Sequence, residues 1–216
     1  MILDEGKGKR YSRASTAKDL GLAGAFLMDL FLKGKILIEK KRIKVSDSST
    51  TGDETLDEVF NIIKTSKKTR KVMNWIEQLA RKHKAYSQAF YKRLEDQGIL
   101  IIEEKKILEI FSTHRFYLQR PEVKTILLEQ IENTIMHNMK PGPDLICLLS
   151  LLRVSNLIKV YIAKHYRKLA KRKIDELVQS EILDENTREM ILVIIKSIQD
   201  IIAARVTAAT TAATVV

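Results

Sequence analysis

The stretch that decides the fold is Leu20–Lys35, LGLAGAFLMDLFLKGK. Between Leu20 and Leu32, Asp29 is the only charged residue, so no polar stripe interrupts the apolar surface. A helix that is apolar on all sides belongs inside a core. Thr16 followed by Asp19 resembles a capping box, and Lys33–Gly34 reads as a stop, because glycine readily takes the left-handed C′ position. The run is shorter than the ~20 apolar residues a bilayer span requires, which argues against a transmembrane helix. A central helix of this kind sets the core and reveals no chemistry.

Working outward, 216 residues with 45% apolar and 30% charged content describe a globular chain with ample surface to bury. The formal net charge is +11 and the isoelectric point near 9.6, values that favour a phosphate-bearing partner, either nucleic acid or anionic lipid. The single Cys147 lies in the apolar run LICLLSLL, which excludes an intramolecular disulfide framework and points to a buried, structural thiol in a reducing compartment. Met1–Gly6 carries no secretory-signal pattern, and no lipidation motif is recognisable.

In chain order, the basic segment before the central helix holds Lys7, Lys9, Arg10, Arg13 and Lys18. Lys35–Val45 alternates apolar and charged residues about Glu39–Arg42 and reads as a hairpin. Helices are expected over about 54–65, with Leu56, Val59, Phe60, Ile62 and Ile63 inward, then around Val72–Leu79, and over about 86–97. Gly98 introduces a second helix–hairpin junction within Tyr91–Phe111. Beyond Pro121 the pattern is helical: 122–139, the apolar segment Leu145–Leu152, a basic helix over 158–180, and a last helix over about 185–206. A Thr/Ala tail, 207–216, is expected to fray. No stretch reads as an interdomain linker, so residues 1–206 form one mainly helical domain.

Catalytic constellations are sought and not found. His83, His114, His137 and His165 stand apart, with no HExxH and no zinc-ligand spacing. No glycine-rich phosphate loop occurs. Asp53 with Glu54, Asp57 and Glu58 reads as a cap and an acidic first helical turn, stabilised by the helix dipole, in preference to a metal site. Trp75 shares a helical face with Val72, Ile76 and Leu79 and reads as core. These absences favour a binding protein without cofactor or metal.

Three motifs in succession resemble the Golgi phosphoprotein 3 family, including its plainer prokaryotic relatives. They are Gly21-Leu22-Ala23-Gly24 running into Leu27-Met28-Asp29-Leu30 and Leu32-Lys33-Gly34-Lys35; Thr51-Gly52-Asp53 with Leu56-Asp57-Glu58; and Asn74-Trp75-Ile76-Glu77 with Leu79, followed by Gly98-Ile99-Leu100. The resemblance runs from Ile2 to about Ile202. It implies helices surrounding a hydrophobic central helix, with two or more surface β-hairpins. It also implies a non-enzymatic adaptor that binds phosphatidylinositol 4-phosphate on the cytoplasmic face of a membrane, the Golgi in eukaryotes. Further partners it implies are membrane-protein cargo tails and a second copy of the chain.

In that family the headgroup pocket uses a Trp before the central helix, an Arg early within it, and two arginines on the helix before the second hairpin. The corresponding positions here are Ala14, Ala23, Lys84 and Ser87. Arg13, Lys18, Arg81 and Lys84 lie near them and form the candidate headgroup site, with lysine acting as a point charge on phosphate. The family's second hairpin serves self-association near the membrane. Here Leu108, Ile110, Phe116 and Tyr117 are the expected contacts, since both faces of the strand look apolar. The competing reading is a winged-helix nucleic-acid binder using Ser66–Arg93, which lacks a base-reading set beyond Gln88 and is disfavoured.

Overall fold

The computed structural model describes the backbone of residues 3–4, 9–10, 15–107 and 111–214, and the side chains of 17–104 and 114–211. Arg13, Leu108 and Ile110 lie outside the described side chains. The architecture is mainly helical, with short antiparallel ribbons at the surface.

Helix α1 (Ser15–Leu32) is the central helix anticipated from its composition. Leu20, Leu27 and Leu30 are completely buried, and Ala23, Phe26 and Met28 nearly so. Its end is closed by paired bonds from the Gly34 amide to the Phe31 carbonyl and from the Lys35 amide to the Leu30 carbonyl, both 2.8 Å. Gly34 sits at φ +67°, the left-handed geometry such a closure needs. The chain then turns straight into β3 (Ile36–Glu39) and β4 (Arg42–Val45), after a short ribbon of β1 (Leu3–Asp4) and β2 (Lys9–Arg10) that precedes α1. Lys40 and Lys41 make the β3–β4 turn at φ +48° and +63°. A two-residue turn of this hand matches the strand twist, and two lysines occupy it where Asn-Gly is usual.

Helices α2 (Glu54–Lys64), α3 (Val72–Arg81) and α4 (His83–Asp96) follow as expected, with Asp53 accepting the Leu56 amide at 3.0 Å to cap α2. Trp75 is buried on α3. Strands β5 (Leu100–Ile107) and β6 (Phe111–Leu118) form the second helix–hairpin unit, in register from Leu100 opposite Leu118 to Ile107 opposite Phe111. Then come α5 (Pro121–Met136), α6 (Pro143–Val154), α7 (Ile158–Tyr161), α8 (Arg167–Gln179) and α9 (Glu185–Thr214). Helix α1 packs on α3, α6 and α9, with α2, α4 and β3 at its margins. The apolar run of α6 meets it directly, as its composition requires.

The single helix expected over 158–180 is instead broken. Ile162 and Ala163 are extended, Lys164–Tyr166 is one 3₁₀ turn, and α8 begins only at Arg167. The reason is phase. Ile158 and Ile162 are buried, as are Ala170, Ile174 and Leu177. On one continuous helix the second group would lie about 120° round from the first at 100° per residue. The break rotates α8 so that both groups reach the core. Arg167 pins the corner, its guanidinium donating to the carbonyls of Ile162 (3.0 Å) and Lys159 (2.8 Å).

Candidate functional site

The first turn of α1 touches α4 at two separate points, Tyr91 two turns along the helix and His83 at the α3–α4 corner. The Lys18 ammonium donates to the Tyr91 hydroxyl at 3.4 Å, and Asp19 Oδ2 lies 3.5 Å from His83 Nδ1. His83 also bonds the Ala80 carbonyl at 2.9 Å, which fixes the imidazole at the joint between α3 and α4. Arg81, Lys82 and Lys84 flank that imidazole and are exposed, so their charges face solvent. Of the four expected headgroup residues, Arg81 and Lys84 are exposed at the α3–α4 corner, and Lys18 is partly exposed in the first turn of α1.

Burial pushes the Asp19 carboxyl up from its ordinary range, with His83, Lys18 and Arg205 acting against that shift. Arg205 therefore belongs to the same electrostatic neighbourhood, contributed by α9 from the far end of the chain. No local pattern in the sequence marks it. His83 was read as one of four scattered histidines; only its packing against the Asp19 turn reveals a place in the site.

Two of the positions that the resemblance assigns to the headgroup pocket are buried. Ala23 is 1% exposed on the inner face of α1, and Ser87 is 8% exposed on the inner face of α4. At both, the side chain is part of the packed interior.

The second hairpin differs from expectation at Phe116. This ring is only 6% exposed and packs with Leu100, Leu94 and Tyr91, its centroid 4.8 Å from that of Tyr91. Strand alternation sends Leu100, Ile102, Phe116 and Leu118 toward α4, and Ile101 and Tyr117 to the other face. Phe116 therefore anchors the hairpin to its own domain and is not an outward contact. Tyr117 is half-buried, paired in register with Ile101, which is 41% exposed.

Among the described residues, no group of three or more His, Cys, Asp or Glu could hold a metal ion, and no helix is long and apolar enough to cross a membrane. Fold and surface together define a helical domain built round one buried helix, with a basic face where that helix begins. The chain matches the Golgi phosphoprotein 3 (GPP34) family over residues 1–194, and it belongs to that family.

Proposed function

We propose that the protein is a non-enzymatic adaptor that attaches peripherally to membranes by binding anionic phospholipid headgroups at the start of α1. The observation that supports this reading is the Asp19–His83 contact, which sets the start of α1 against the corner that exposes Arg81, Lys82 and Lys84. Membership of the Golgi phosphoprotein 3 family supports a phosphoinositide, phosphatidylinositol 4-phosphate, as the preferred headgroup and Golgi membranes as the site in a eukaryotic cell. Buried Ala23 and Ser87 leave the site without the family's arginine forks. Recognition here therefore rests on point charge more than on bidentate geometry, so selectivity between headgroups of equal charge is modest.

Vesicle flotation tests this reading. Basic residues near an anionic leaflet contribute about 1 kcal/mol each, so Arg81→Ala/Lys84→Ala lowers partitioning onto phosphatidylinositol 4-phosphate vesicles by roughly tenfold or more. The wild-type protein floats with those vesicles at low salt and not with pure phosphatidylcholine. Equal flotation of wild type and variant overturns the assignment of the site.

A further inference from the structure

A second basic surface lies elsewhere on the molecule. Residues 145–174 contain eight Lys or Arg and no Asp or Glu. The structure gathers the outer part of this stretch at the α7–α8 corner, where the helix expected to be continuous is broken. Lys164 sits on the 3₁₀ turn, and Lys168 and Lys171 lie one helical turn apart on α8. All three are exposed and, among the described residues, have no carboxylate within 4.0 Å. The nearby acids are already engaged, Asp175 by Arg153 and Glu176 by Arg172 and Lys173. Between these lysines stands Tyr166, 44% exposed, its ring 3.9 Å from that of His165, and Val160 adds apolar surface at 36% exposure.

We infer that this corner is a second contact for anionic bilayer, distinct from the site at the start of α1, and that the protein can bridge two membranes. An uncovered tyrosine with lysines on either side suits the bilayer interface, where the ring enters the headgroup layer and long cationic side chains reach the phosphates. A nucleic-acid surface would need a groove to follow a strand, and the exposed residues here stand on a single turn and helix face. The two basic surfaces are also carried by helices with different neighbours. Helix α8 packs on α5, α6 and α9, whereas α4 packs on α1, α2 and α3. Bridging requires that attachment through one surface leave the other accessible, which vesicle clustering reads directly.

This inference rests on the anionic-lipid reading of the α1 site, and the experiment separates the two. Mixed phosphatidylcholine–phosphatidylserine vesicles are followed by light scattering for clustering and by flotation for binding, with wild type, Lys164→Glu/Lys168→Glu/Lys171→Glu and Arg81→Glu/Lys84→Glu. Wild type is expected to float and to cluster vesicles. The triple variant is expected to float still and to lose clustering, at about fivefold weaker surface attraction per lysine removed. Its circular dichroism and its mass in solution should equal those of wild type. Clustering by the triple variant at the wild-type level, or flotation of wild type without clustering, overturns the bridging surface. So does a changed mass, which would assign the lysines to self-association. The α1 reading fails separately if Arg81→Glu/Lys84→Glu floats and clusters as wild type does.

Discussion

Gly24 is a residue at which the core leaves little room for a side chain. A Cβ built there lies 3.0 Å from Ile198 Cδ1, 3.0 Å from Leu151 Cδ2 and 3.2 Å from Ile194 Cγ2, so three side chains from α6 and α9 already occupy the space. Gly24→Leu should therefore cost about 2–3 kcal/mol or more, read as a lower urea midpoint at unchanged slope, because overpacking forces neighbours from their rotamers. An unchanged midpoint would mean that α1 does not touch α6 and α9 as described. Cys147 gives a test of the same interior. It is buried on α6, and burial, with Asp29 and Asp144 adding to it, pushes its thiol up to about 12. Reactivity needs thiolate and access, so an alkylating reagent at pH 8 should leave the native protein unlabelled and label it in urea. Rapid native labelling would contradict this packing.

At the scale of elements, α2 shows how a short helix is held at its N-terminal end. Burial alone would raise the Asp53 carboxyl, but the Leu56 amide and the Arg93 guanidinium outweigh it and hold the group below its ordinary range. The folded value being the lower one, this contribution is complete at neutral pH and is lost only as pH falls below about 4 and through that lower folded value. Asp53→Ala should cost about 1–2 kcal/mol at pH 7, and the difference from wild type should shrink at pH 3. A penalty independent of pH would show that only packing, not charge, is involved. Several of these elements can be read from residues alone. The closure of α1 at Gly34, the hairpin over 35–45 and the Asp53 cap each depend on chemistry within a few neighbouring positions. The broken 158–180 segment and α5 do not. Val123, Ile126 and Leu127 have helical spacing, yet they are 38%, 55% and 39% exposed because the buried residues of α5 are Ile131, Thr134 and Ile135 in its later turns. Periodicity reports that a face exists; only tertiary packing decides what covers it. The site follows the same rule, with Lys18, Arg81 and Lys84 visible as charges while His83 and Arg205 join through contacts between distant segments.

For the molecule as a whole, the arrangement is a core shared among helices drawn from the full length of the chain. Met190, Ile191, Ile194 and Ile198 on α9 are completely buried, and α9 packs on α1, α3, α6 and α8. The apolar circumference of α1 is thus covered on one side by residues made more than 150 positions later. At a synthesis rate of about 5–20 residues per second, the most water-averse helix of the protein waits roughly 8–35 seconds before its last cover leaves the ribosome. During that interval the apolar segment Leu20–Leu32 is available to chaperones or to other nascent chains, so the yield of folded protein should depend on the rate of translation and on chaperone capacity more than the stability of the finished fold would suggest.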